Sequence, residues 1–449
     1  MTDGVFWPNR RGLLAGLGGA VLWPHLPAGA VPAGRPPLTL QAKPGTAALR
    51  DGSADTPVWS LLGPTSDAVT RFRRGDELQV TLENQLPIPV ALNWHGVEGA
   101  PDAEPLTRPP LNSGGKETFV IPLRHAGSLL CDLRLFGDGQ ARPLPARAVI
   151  VAEDEPVSAD RDEVFLIEDW RLRPDGSAVA PGSEPKDAAK DAAKDAAAFY
   201  TVNGRPAPDI GIRANERLRL RIINGCQRNV IALKIEGHAV LVMAIDGQPA
   251  EPFPARNGQL VLAPGTRIDG FIDAVRPPGS VSSIVLHDGK EPRPIARLVT
   301  SSDPPRRDAP LPAPPPLPSN GLPAQLELRS ALRFELTLGE TGPPPNWTPP
   351  AGLTAAMAPT FRCKPGRIVV LALTNRATIP TVFHLHGHHF RLLDRLDDGW
   401  KPFWLDTLVV DAGQIQRIAF AAQYPGRWLM EAMATDWAAP RLVCWYSVE

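Results

Sequence analysis

Three histidines carry the densest chemistry in the sequence. One stands in Asn93-Trp94-His95-Gly96 and two in His384-Leu385-His386-Gly387. An imidazole can ligate a metal or exchange a proton near neutral pH. Charged residues fall at matching places downstream: Gly127 is followed five and seven residues later by Asp132 and Arg134, and Gly426 at the same spacing by Glu431 and Met433. His95, His384 and His386 with Asp132 or Glu431 form a histidine–carboxylate set of the kind that holds a single Zn, Mn, Fe or Cu ion. Other chemistries lack their residues. There is no G-x-S-x-G elbow, no Ser-His-Asp order, no phosphate loop and no CxxC pair.

The elements that must position these residues repeat three times. Gly75-Asp76-Glu77-Leu78 continues with Val80, Leu82 and Asn84; Asn215-Glu216-Arg217-Leu218 with Leu220, Ile222 and Asn224; Gly366-Arg367-Ile368-Val369 with Leu371, Leu373 and Asn375. Apolar residues at every second position predict a β-strand with one buried face. The Gly of the histidine elements stands twelve residues beyond the asparagine in the first and third copies; in the second copy Glu236 precedes the equivalent Gly237. The first and third units therefore bring histidines to equivalent strand positions, and the middle unit does not. Each unit also ends on a closing strand, at Arg147–Val151, Arg297–Val299 and Arg441–Trp445.

The 449 residues suit about three domains. Fifty-two prolines and 39 glycines disfavour long helices and favour short strands joined by turns. A formal charge of −1 excludes a general nucleic-acid or anionic-membrane footprint. Domains are expected at 37–154, 161–302 and 326–449. The proline-rich stretch 303–325 forms a stiff linker, and a Lys-Asp-Ala-Ala repeat marks an insertion at 181–198. Residues 1–30 read as a twin-arginine export signal: Arg10-Arg11 precede an apolar run from Leu13 to Trp23, then Ala28-Gly29-Ala30. No later apolar stretch is long enough to cross a bilayer, so a periplasmic location is expected.

With Phe383-His384-Leu385-His386-Gly387-His388, Trp404-Leu405-Asp406-Thr407 and Pro425-Gly426-Arg427-Trp428, the chain resembles the three-domain multicopper oxidases over nearly its whole mature length. The resemblance implies an all-β fold of three tandem cupredoxin-like Greek-key sandwiches. In that family, four His-X-His elements from the first and third domains hold three coppers, and a further His, Cys, His set holds a blue copper. At the blue-copper positions this chain has Thr381, Ala432 and Trp437, none of which offers a thiolate or imidazole. The four elements read Asn93 and His95, Asp132 and Arg134, His384 and His386, and Glu431 and Met433. Three of eight histidines remain, each assigned by the resemblance to a different copper.

These losses predict a non-catalytic exported protein, similar to the copper-less, Tat-exported cell-division branch of the family. Its partners would be periplasmic proteins of unknown identity, with no nucleic acid. No cofactor is expected, the alternative being one copper or other divalent ion on the residual histidines, acting as an oxidoreductase. Arg134 is expected to replace the missing cation by bridging Glu431, with Asp132 as a second partner. Cys363 and Cys444, in the same domain, are candidates for a disulfide in an oxidising compartment. His388 and His389 are expected to be framework residues.

Overall fold

The computed structural model describes residues 37–449 apart from 51, 64–68, 183–197, 340–346, 355 and 395–398. The export signal and nearly all of the Lys-Asp-Ala-Ala insertion lie outside the described residues. The described chain forms six sheets, paired into three β-sandwiches. In each, the repeated strand lies parallel to the first strand of its unit: Glu77–Asn84 beside Leu38–Ala47, Arg217–Asn224 beside Arg161–Arg171, and Arg367–Thr374 beside Leu332–Thr337. The opposite sheet is built on the closing strands Ala146–Ala152, Pro292–Thr300 and Arg441–Val448, each again paired in parallel with a short earlier strand.

The alternating residues of the repeat are the centre of each core. Leu78, Val80 and Leu82 pack in the first, Leu218, Leu220 and Ile222 in the second, and Val369, Leu371 and Leu373 in the third. The asparagine that closes each repeat has one role played three times. The side-chain carbonyls of Asn84, Asn224 and Asn375 each accept a bond of 2.9 Å from the backbone N–H two residues on. Their amide groups each donate to two carbonyls: Ile88 and Leu111, Asn229 and Leu262, Ile379 and Val410. Each is almost wholly buried, so an apolar replacement would leave backbone groups unsatisfied away from water.

The second face of the middle repeat departs from the period-two expectation. Arg217, Arg219 and Arg221 alternate with the core residues yet are at most 2% exposed. Arg219 bonds Glu153 at 2.7 Å and Asp269 at 2.5 Å; Arg221 bonds Asp162 at 2.8 Å and Asp269 at 3.1 Å; Arg217 bonds Asp273 at 2.7 Å. Ser128 of the first sandwich also bonds Asp269, at 2.8 Å. This face is an interdomain contact made of satisfied charges, which hydrophobic periodicity cannot distinguish from a solvated one.

Residues 303–325 contain no strand, and they pack against the sandwiches. Leu317 is buried near Met243 and Phe271. Asn320 accepts from the Ala126 N–H at 2.9 Å and donates to Gln248 at 3.1 Å. Among the described residues no helix is long and apolar enough to cross a membrane. The expected disulfide is absent: all four cysteines are free. Cys363 lies opposite Val448 in the parallel ladder, so Cys444 is four positions, roughly 13 Å, along the strand.

Asn224→Ala removes three hydrogen bonds from a buried turn and is expected to cost roughly 3 kcal/mol, read as a lower midpoint in denaturant unfolding with an unchanged slope. A loss under roughly 0.5 kcal/mol, the size of an ordinary surface substitution, would contradict this role.

Candidate functional site

The first and third sandwiches face each other through equivalent strand pairs. In the first, Asn93–His95 pairs antiparallel with Gly127–Asp132, setting Asn93 opposite Asp132. In the third, Thr381–Leu385 pairs antiparallel with Gly426–Ala434, setting His384 opposite Glu431. Both histidine elements end on a glycine with positive φ. At Gly387 (φ 73°) an added Cβ would fall 2.1 Å from the Trp428 ring, so no other residue fits there.

These pairs bring His95, His384 and His386 together. Ring centroids of His95 and His384 are 4.0 Å apart, and those of His384 and His386 4.6 Å. All three are buried. Their roles differ because their partners differ.

His386 lies between two carboxylates. Its Nδ1 is 3.2 Å from Glu104 and its Nε2 2.8 Å from Glu431. Burial alone would push its pKa down; Glu104 and Glu431 overcome burial and raise it to about 10. The ring is therefore an imidazolium with both nitrogens protonated, and it has no lone pair to offer a metal. Glu431 also bonds Arg441 and accepts from Asn93 Nδ2 at 2.9 Å. Burial opposes its charge, but Arg441 and His386 hold its pKa well below the usual range.

The cation beside Glu431 is Arg441, and the Arg134 expectation is corrected. The Arg134 guanidinium turns toward the middle sandwich, bonding the Leu144 carbonyl at 3.1 Å, the Cys226 carbonyl at 3.3 Å and Glu168 at 3.2 Å. Only its backbone N–H reaches Asp132, at 2.8 Å. Arg134 sits in a short 3-10 turn, Arg134–Phe136, after the strand has ended, so the alternation that would aim it at Glu431 no longer applies. Arg441 instead lies opposite Met433 on the neighbouring strand, within diagonal reach of Glu431. Met433 takes no part in a donor set; its sulfur contacts Arg228 at 3.2 Å.

His384 is the opposite case to His386. Its Nδ1–H donates to the Asp406 carbonyl and the Thr407 hydroxyl, each at 3.1 Å. Burial, then His95 and His386, hold its pKa well below the ordinary value, so it is neutral with a lone pair on Nε2. That Nε2 and His95 Nδ1 have no hydrogen-bond partner among the described residues. His95 Nε2 lies 3.5 Å from Asp132. His95, His384, Asp132, Cys226, Glu431 and Arg441 share a cavity of about 20 Å³, space for about one water or one ion.

The blue-copper positions of the resemblance lie in closed surroundings. Thr381 is buried in the ladder opposite Ala434, and Ala432 is part of the third core. Trp437 stacks under the Arg171 guanidinium at 4.4 Å, and its carbonyl accepts from Gly182 at 2.9 Å. Cys226 is the cysteine nearest the cavity, and burial pushes its pKa well above the ordinary value.

Sequence reading missed Arg441, Glu104, Asp406 and Cys226 as site residues. Arg441 had a signal in its place at the head of a closing strand. Glu104 stands in the loop after His95, where spacing predicts no partner.

Asp406 belongs to the joint that fixes His384. Arg267 of the middle sandwich grips it with bonds of 2.9 and 2.7 Å. The same guanidinium donates to the Ser128, Gly265 and Asp246 carbonyls, so its five N–H groups are spent on all three sandwiches.

Sequence profiles described as multicopper oxidase match residues 45–131, 161–286 and 327–448. The multicopper oxidase MmcO of Mycobacterium tuberculosis is 24% identical over 399 residues, covering 79% of this chain and 76% of that protein. Laccase-4 of Thanatephorus cucumeris is 25% identical over 244 residues, covering 49% of this chain and 45% of that one. The crystal structure of a multicopper oxidase from Pseudomonas thermotolerans superposes with a TM-score of 0.76 at 25% identity, covering 92% of this chain and 98% of that one. Lac15 from a marine microbial metagenome gives 0.75 at 25% identity, covering 92% and 100%. With three successive profile matches on three successive sandwiches, this chain belongs to the multicopper oxidase family.

Proposed function

We propose that this member of the family does not reduce dioxygen and works as an exported, non-catalytic interaction protein of the cell envelope. The observation that carries this reading is the state of His386. A residue that the family would use as a copper ligand is here an imidazolium clamped by Glu104 and Glu431, with Arg441 completing the charge balance.

The residues present do not fit the family's copper centres. The four elements retain three imidazoles, and one of these carries a proton on each nitrogen. Arg441 in the cavity wall adds a fixed positive charge, which opposes a dication by about 4 kcal/mol per unit-charge pair at 4 Å and an effective dielectric of 20. The blue-copper positions supply a hydroxyl, a methyl group and an indole. No redox step is therefore assigned to this chain. The relatives described as oxidases and laccases share its architecture, and function resides in the site. Export by the twin-arginine route, a periplasmic location and a protein partner complete the proposal.

A second reading has its own observation. His384 Nε2 and His95 Nδ1 are buried without partners, and both residues border a cavity of ion size that Asp132 also lines. A single divalent ion held there would give those nitrogens a partner.

Three outcomes test these readings. Copper-loaded protein supplied with phenolic donors is expected to consume no dioxygen above the protein-free rate and to show no intense blue absorption; sustained turnover would overturn the proposal. His386→Ala strands two buried carboxylates and is expected to cost about 3–5 kcal/mol, whereas an unused ligand position would tolerate it. The His386 contribution is complete below its unfolded pKa near 6.5 and lost as pH rises toward about 10. Stability measured in denaturant should therefore fall across that window in the parent and not in His386→Ala. For the second reading, metal analysis after dialysis should give one ion per chain in the parent and none in His384→Ala; equal contents would exclude the seam.

A further inference from the structure

We propose that Glu98, His125 and His389 form a divalent-metal site of the two-histidine, one-carboxylate class, separate from the cavity between His95 and His384. One donor atom from each of the three lies within 4.8 Å of the others, and all three residues are buried. They come from different elements. Glu98 lies in the loop after the strand Asn93–His95, bridged to Gly387. His389 follows the Gly387 turn. His125 lies in the turn between the strands Lys116–Pro122 and Gly127–Asp132. A neutral imidazole, a carboxylate and a second imidazole are the ligand types that bind zinc at about 2.0–2.2 Å.

The hydrogen bonds around these residues point to a ligand. Asn320 is oriented by the Ala126 N–H, which its side-chain oxygen accepts; its amide group donates to Gln248 Oε1. Gln248 must therefore turn its NH₂ toward the histidines, 3.0 Å from His125 Nδ1 and 3.3 Å from His389 Nε2. His125 can accept that bond. His389 Nε2 also lies 3.1 Å from the Asp246 carbonyl, a contact that requires a proton on the same nitrogen. The Gln248 amide and a protonated His389 then meet donor against donor. A bound cation resolves the conflict by taking a lone pair of His389 in place of its proton.

Charge and access agree with this assignment. Burial lowers the His125 pKa to about 4, so that ring is neutral and already offers a lone pair. His389 is raised because Glu98 outweighs burial, so metal binding releases one proton from it and leaves Glu98 as the anionic ligand. His125 opens on a surface cleft of about 410 Å³ whose wall includes Asp76 and Glu77, a path for a cation from solvent. Arg124 at that cleft is drawn over the Tyr424 ring at 5.1 Å.

The test is calorimetric titration of Zn²⁺ into the full chain, in buffers of different ionisation enthalpy. One ion should bind per chain with release of about one proton. His125→Ala should weaken binding at least about tenfold, the lower end of what loss of even a supporting residue costs a metal site. Because His125→Gln keeps a partner for Gln248, it should show the same loss in a variant whose turn is preserved. His384→Ala should leave the affinity unchanged. The proposal is overturned by no binding, by binding without proton release, or by binding that His384→Ala abolishes and both His125 variants leave intact.

Discussion

A carboxylate almost wholly removed from water is the constraint on which the centre of this protein depends. Glu431 is 2% exposed, and an isolated charge there would be prohibitively costly. It is kept ionised by Arg441, by His386 and by the Asn93 amide. The arrangement spans two sandwiches: Asn93 and Glu104 come from the first, and Glu431, His386 and Arg441 from the third. What joins the domains is thus a chain of alternating charge in a place where relatives of this fold are built around copper. Such a chain is stable only as a complete set, because removing one member strands another.

The same logic recurs at the middle sandwich. Arg219 and Arg221 share Asp269, and Arg267 divides its five donors among three domains. Each interface is polar and each is satisfied. His384 inherits its tautomer from this joint, because Asp406, gripped by Arg267, is the residue whose carbonyl accepts its proton. Domain packing and the chemistry of the seam are therefore one structure.

The fold was legible in the sequence because its signal is local. Leu218, Leu220, Ile222 and Asn224 state a strand, its buried face and the turn that ends it within a few residues, and the same sentence occurs three times. The matched spacing from Asn84 and Asn375 to the histidine elements was enough to place Asn93 opposite Asp132 and His384 opposite Glu431 in equivalent ladders. The site was less legible because its partners are distant. Arg134 and Arg441 both stand near the seam, but a 3-10 turn at Leu133–Phe136 swings Arg134 toward Glu168. Glu104 reaches His386 across 282 positions of chain, and no pattern in the sequence encodes such a contact. The exposed-looking alternation of Arg217, Arg219 and Arg221 concealed an interface for the same reason.

The central claim is that His386 is a charged structural cation and not a ligand. Nitrogen-15 NMR of histidine-labelled protein reads this directly. The account predicts that both His386 nitrogens stay protonated at pH 8, with shifts unchanged when copper is added. A His386 ring with one bare nitrogen at that pH, or one whose signals are lost to bound copper, would contradict it.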